Sequence, residues 1–262
     1  MISYLQSIIL GIIEGLTEFL PISSTAHLII SEYLLGLKTS HFLNFLTVFI
    51  QLGAIAAVPI LYFKRLTSSL SIYRFVSISF IPAVILGVLL DDFLESLFKG
   101  YVFIAFSWVI GGLILLQIDY WLRNQTVQAE DVSKMTVLQS LKIGFFQCIA
   151  MIPGVSRSGA SIVGGRIVGL SHQAAVEYSF LLGIPTILGA SAKKILDYRQ
   201  EIPVFIDSIH LPVLLFAFLI SFLIALITIR FMVSIVSKYG FKLFGYYRII
   251  IGLLLGLHLW LK

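Results

Sequence analysis

The chain has 262 residues, of which 59% are hydrophobic and only 12% charged, with a formal net charge of +5 and a mean hydropathy of +1.02. That charged share is about half of what a soluble domain carries, and apolar runs long enough to cross a bilayer recur throughout, so an ordinary soluble fold and a separate soluble domain are excluded. Cys148 is the only cysteine, which rules out an intrachain disulfide, and nothing resembles a nucleic-acid-binding module.

In chain order, the first hydrophobic segment, roughly 4–35, is broken by Pro21 and the run Ser23-Ser24-Thr25. Its start carries neither the basic region nor the small-residue cleavage site of a signal peptide. Three unbroken spans of about 18 to 23 residues follow, at roughly 43–63, 73–90 and 101–121. The longest polar stretch, Arg123 to Thr136, reads as a loop, and the acidic pair Asp91-Asp92 reads as part of another. A second broken segment, roughly 138–170, is interrupted by Pro153-Gly154 and by Ser156 to Gly159, and three more spans follow at roughly 174–194, 212–233 and 243–261. Irregular backbone at membrane depth is tolerated only where it is buried in protein or lines a wet cavity. The expected fold is therefore an all-α polytopic membrane protein with six transmembrane helices and two re-entrant helix–loop–helix hairpins.

The order of one broken segment and three spans, taken twice, predicts an internal repeat within a single membrane domain, with halves of about 1–125 and 137–262. Leu5-Gln6-Ser7 recurs as Leu138-Gln139-Ser140, 133 residues on (138 − 5), and Gly11 and Glu14 meet Gly144 and Gln147 at the same offset. After a one-residue slip at the prolines, Ser23 and Thr25 align with Ser156 and Ser158. Three spans per half is an odd number, so the second half is expected to be inverted, with a site at the midplane between the halves. Lys64, Arg65, Arg74, Arg123, Lys134, Lys142, Arg230, Lys238, Lys242 and Arg248 fall toward one side, and Lys38, Lys99, Lys193, Lys194, Arg199 and Lys262 toward the other. By the positive-inside rule this bias puts both termini outside.

Ionisable groups at membrane depth are costly and by default mark function. Glu14 and Glu18 stand at i, i+4 on one helical face, a spacing that suits acid–base chemistry or the binding of a hard divalent cation through oxygen. Behind Pro21, a helix restarting at Ser23, Ser24 and Thr25 would offer free N–H groups and its positive dipole end to a phosphate. His27 follows within a turn. In the second run, Gly154 and Gly159 permit close backbone approach, and the Arg157 fork fits phosphate oxygens or forms a salt bridge to Glu14 or Glu18. Ser156, Ser158 and Ser161 either bind phosphate or cap a helix, and Gln51 either reaches the site or bonds a neighbouring helix. Glu177 reads as structural, and Arg166 either widens the positive pocket or snorkels to the interface.

At these residues the chain resembles the undecaprenyl-diphosphatase family of bacteria, the bacitracin-resistance type. The family signature E-G-x-T-E-F-L-P-x-S-S-T-G-H is matched from Glu14 to His27, and P-G-x-S-R-S-G-x-T from Pro153 to Ser161. The likeness extends over essentially the whole length, including I-Q-L-G around Gln51. Ala26 stands where the family has glycine, and Ser161 replaces threonine with its hydroxyl kept. The resemblance implies release of the terminal phosphate from undecaprenyl diphosphate, a polyprenyl lipid, at a site open to the outer face of the bacterial cytoplasmic membrane. The product carries sugar intermediates for peptidoglycan and other wall polymers, and bacitracin resistance follows from a reduced supply of the drug's target. It further implies a divalent cation, Mg2+ or Ca2+, and Glu14, Glu18, Ser24, His27 and Arg157 as site residues, with Ser24, His27 or a water as nucleophile. The sequence is compatible with a homodimer. The reading from another class is an ion-coupled transporter or flippase of a polyprenyl phosphate, since inverted repeats with hairpins also build transporters.

Overall fold

The computed structural model describes residues 2–97, 100–207 and 209–261, with backbone alone for 91–97; Lys99 and Lys262 of the charge count lie outside the described residues. Among these are twelve α-helices: α1 Tyr4–Thr17, α2 Ser24–Leu34, α3 His41–Leu61, α4 Phe63–Ser68, α5 Leu70–Leu97, α6 Tyr101–Trp121, α7 Val137–Cys148, α8 Arg157–Ile167, α9 His172–Asp197, α10 Ile202–Phe205, α11 His210–Tyr239 and α12 Lys242–Trp260. The helices α3, α5, α6, α9, α11 and α12 are long and apolar enough to cross a bilayer, so this is an all-α, multi-pass membrane protein. One boundary differs from expectation. No glycine or proline lies between Gly87 and Gly100 to stop α5, so Asp91-Asp92 stand on helical backbone beyond the apolar stretch that ends at Leu90.

Both broken segments fold as helical hairpins. With 14 and 11 residues, α1 and α2 are about 21 and 16 Å long, too short to cross a hydrocarbon core of roughly 30 Å. Gln6 Nε2 donates to the Leu35 carbonyl at 3.3 Å, which ties the start of α1 to the end of α2 and makes the chain enter and leave at one level. Gln139 Nε2 repeats this bond to the Val168 carbonyl at 2.9 Å. Each of these glutamines also closes a capping box, with Ser3 in the first hairpin and Thr136 in the second. Behind α2 and α8, Gly36 (φ 67°) and Gly169 (φ 92°) take left-handed backbone, which lets Leu37 N–H return to the Glu32 carbonyl and Leu170 N–H to that of Gly165. All these pairs stand 133 residues apart (139 − 6, 168 − 35, 169 − 36).

Each hairpin packs on a span from the other half. Helix α1 lies on α11, where a Cβ on Gly11 would meet the Ala217 carbonyl oxygen at 2.7 Å, and α7 lies on α5, where a Cβ on Gly144 would strike the Ser79 carbonyl. Only glycine allows backbones this close. Helix α3 likewise packs on α11 and α9 on α5, while α6 and α12 pack on each other. Phe19, Tyr178 and Phe180 fill the interior, and outward residues such as Val88, Phe106 and Ile227 are exposed and apolar, as contact with lipid requires. Arg65 donates to Glu177 near the start of α9 at 2.6 Å and to Asp131 at 2.8 Å, pinning the 122–136 loop, so Glu177 is engaged in an ion pair with α4.

Candidate functional site

The two hairpin tips meet. Ser158 Oγ donates to the Leu20 carbonyl at 2.8 Å, and Ser156 Oγ reaches the same oxygen at 3.3 Å. Gly159 lies against Pro21, to whose Cβ a side chain at Gly159 would come within 3.4 Å. The close approach this glycine permits is therefore of one tip to the other. Gly154 (φ 84°) is likewise packed on α6, near Ser107 and Ile104.

Across the joint, Arg157 Nη2 donates to Glu18 Oε1 at 2.7 Å, and Ser24 Oγ donates to Glu18 Oε2 at 2.5 Å. Arg157 Nη1 is held by the Ser179 carbonyl at 2.9 Å, and its Nε is buried without a partner. A side chain on Gly183 would collide with the guanidinium, so that glycine makes its berth. A cavity of about 230 Å³ opens over this pair, lined on its polar side by Glu18, Ser23, Ser24, Thr25, Gln51, Gln147, Ser156, Arg157 and Thr186. Met151, Val155 and Ile187 supply part of its apolar wall.

The helix ends at the two tips differ. Helix α8 is capped, because Ser156 Oγ accepts from Gly159 N–H at 3.0 Å. Helix α2 has no side-chain cap, and its N-cap residue Ser23 is the one non-glycine with positive φ (71°) among the described residues. Backbone of this kind costs of order 1 kcal/mol and clusters at functional sites. The uncapped N–H groups of α2 carry partial positive charge beside the cavity.

Not every candidate residue lines the cavity. Ser158 is spent on the tip contact, and Ser161 is bonded to the Arg157 carbonyl and to Ser179 Oγ, both at distances under 3 Å (2.9 and 2.8 Å). His27 turns away: its ring packs on Trp108 and Tyr247, with Nδ1 at 2.7 Å from the Ser23 carbonyl and Nε2 at 2.7 Å from Tyr247 Oη. A carbonyl can only accept, so Nδ1 carries a proton, and in the neutral ring Nε2 accepts from the tyrosine. Arg166 is buried away from the cavity and donates to the Leu170 carbonyl, so it neither widens the pocket nor snorkels.

Glu14, one turn before Glu18, is fully buried behind the cavity wall, and neither of its oxygens has a hydrogen-bond partner. Its carboxyl lies beside that of Glu18, and two buried carboxyls so placed either share a proton or bind a cation. Glu18 oxygens each take one donor and keep a lone pair. Among the described residues no three His, Cys, Asp or Glu side chains gather as metal ligands. The carboxylate oxygens of Glu14 and Glu18 are of the donor type a hard divalent cation prefers.

Arg248 corrects the sequence reading. Counted there as an interfacial charge, it is 2% exposed and donates to the carbonyls of Pro21 at 3.0 Å, Gly154 at 3.1 Å and Ser107 at 2.8 Å. One guanidinium thus braces both tips against α6, and it says nothing about topology. Its position inside the apolar run of α12, a costly place for a charge, was the signal that could have singled it out.

Fold and site together define an integral membrane protein with a polar cavity built where two hairpin tips meet. Residues 7–254 match the family model described as "Bacitracin resistance protein BacA", and the chain belongs to that family. It is 50% identical over 252 residues to an undecaprenyl-diphosphatase of Flavobacterium johnsoniae, covering 96% of this chain and 94% of that one. It is also 46% identical to an undecaprenyl-diphosphatase of Flavobacterium psychrophilum and 43% identical to one of Bdellovibrio bacteriovorus, with 97% of this chain and 95% of the relative covered in each case.

Proposed function

We infer that this protein is an undecaprenyl-diphosphatase: it hydrolyses undecaprenyl diphosphate to undecaprenyl phosphate and inorganic phosphate, recycling a wall-polymer lipid carrier and conferring bacitracin resistance. The observation that carries this reading is the Ser24–Glu18–Arg157 chain across the tip joint, in a chain half identical to a protein of that name. The cavity has room for a headgroup, and a C55 tail must lie outside it, in the bilayer.

The geometry supports the following sequence. The diphosphate meets Arg157 and the uncapped start of α2, which neutralise its charge where phosphoryl transfer needs it. Ser24 Oγ attacks the terminal phosphorus while Glu18 takes its proton, and the bond to the bridging oxygen breaks, so undecaprenyl phosphate leaves with that oxygen. Water then attacks the phosphoserine, the Oγ–P bond breaks, and Glu18 returns its proton to Ser24. Phosphate departs with both hydrogens of the water. Glu14 and Glu18 are the groups that would hold a divalent cation, Mg2+ or Ca2+, which when bound adds positive charge at the phosphate oxygens.

The recurrence of caps, glycines and hairpin bonds at one offset supports two halves, about 1–125 and 137–262, descended from one unit. The odd number of spans per half makes the second inverted, so that one hairpin enters from each face. The remaining basic residues favour the side bearing Lys64 and Lys134, which argues for both termini outside, and the family likeness argues for a bacterial inner membrane with the site open to its outer face.

The test is phosphate release from undecaprenyl or farnesyl diphosphate by the detergent-purified protein over a series of cations. Release is expected; none under any cation would leave the transporter reading standing instead.

A further inference from the structure

The sequence alignment of the two hairpins sets Gln147 opposite Glu14, and the structure gives both an unusual state. Each is at most 2% exposed, and each carries buried polar atoms without a partner: both oxygens of Glu14, and Nε2 of Gln147. Glu14 sits behind the cavity, whereas Gln147 lines it, together with Glu18, Ser24 and Arg157. Gln147 Oε1 accepts from Thr186 Oγ1 at 3.1 Å, a hydroxyl whose proton is shared with the Leu182 carbonyl at 2.8 Å. That contact turns the amide nitrogen away from Thr186.

Two buried, unpartnered N–H donors therefore belong to side chains of one cavity wall: Gln147 Nε2 and Arg157 Nε. A buried donor left unpaired is costly, and it is tolerated where a ligand completes it. Both groups donate and neither accepts, so the ligand that satisfies them together must present acceptors, as an oxyanion does.

We propose that Gln147 is a substrate-binding residue whose side-chain N–H donates to a phosphoryl oxygen of the diphosphate, with Thr186 fixing the orientation of the amide. The proposal rests on the diphosphate reading above. It gives the repeat a chemical asymmetry, with an acceptor for positive charge at position 14 and a donor for negative charge at 147.

The test is kinetic, with methylene diphosphonate as a non-hydrolysable probe titrated directly against the full-length protein in detergent. Gln147→Leu is expected to raise KM for the diphosphate and weaken diphosphonate binding by about tenfold to a hundredfold, the usual value of a hydrogen bond to a charged group, with kcat changed far less. Gln147→Glu, which keeps the shape and replaces the donor by a negative acceptor, is expected to weaken both more than Gln147→Leu. Thr186→Val leaves Gln147 in place but frees its amide, and a smaller weakening in the same direction is expected, which keeps the test decisive if a Gln147 variant fails to fold. Unchanged diphosphonate affinity in folded variants would overturn the proposal. So would tighter cation dependence in Gln147→Glu, which would make residue 147 a cation ligand. If the wild type binds diphosphonate but releases no phosphate, the hydrolase reading fails while the binding arms still decide the role of Gln147.

Discussion

The two hairpins share a scaffold and differ at their tips. In both, a glutamine three residues into the first helix closes a capping box and ties that helix to the end of the second, and a left-handed glycine ends the turn. At the tips the likeness stops. The first presents Glu18 and Ser24 and leaves α2 uncapped above a strained Ser23, while the second caps α8 with Ser156 and presents Arg157. Scaffold contacts made within each hairpin can be kept twice over. Groups that must meet across the joint cannot be identical, because two carboxylates or two guanidinia would repel. Neither tip holds a complete site.

The largest expected effect comes from removing one side of the joint. Arg157→Ala and Glu18→Gln should each lower kcat/KM for undecaprenyl diphosphate by about 10³-fold or more, since each strips a charge from the reacting group and leaves its buried partner unpaired. Near-normal turnover in either would remove that residue from the site. Ser24→Ala probes the first tip alone. It should abolish turnover together with any acid-stable phosphoserine trapped by rapid quench, and substantial turnover would rule out Ser24 as nucleophile.

A gentler break separates the tips without altering either. Arg248→Met removes the brace, and Gly111→Ala adds a methyl that would strike the guanidinium. Both should lower kcat by about 10²-fold per folded molecule, the cost of misplacing reacting groups by roughly 1 Å. A loss of thermal stability with kcat intact would make Arg248 structural only.

The smallest effect concerns the loop that leads into the second hairpin. Hydrogen bonds from the Ser133 hydroxyl and amide, with the Arg65 guanidinium, hold the Asp131 carboxyl below the usual carboxylate range. A depressed carboxyl contributes stability above its unfolded value of about 3.9 and loses it as pH falls further. The melting temperature should therefore fall as pH drops below about 4, and Asp131→Asn should flatten that fall slightly.

Six spans, two broken segments and the tip residues were legible in the sequence because each depends on local chemistry: apolar length, a proline or glycine at a break, a charge where charge is costly. The ion-pair reading of Arg157 was legible for the same reason, since an unpaired arginine and two glutamates in apolar sequence have few other partners. What could not be read were directions. Ser161 and His27 stand in the same motifs as Arg157 and Ser24, yet one bonds within α8 and α9 and the other lies between Trp108 and Tyr247, because helical rotation and packing decide where a side chain points. Arg248 and Gln147 were missed because their partners, backbone carbonyls and a cavity wall, come from elements distant in the chain. The sequence by itself determined a membrane fold and the inventory of the candidate site. Only tertiary structure decided which members of that inventory meet, since their contacts cross from one half of the chain to the other.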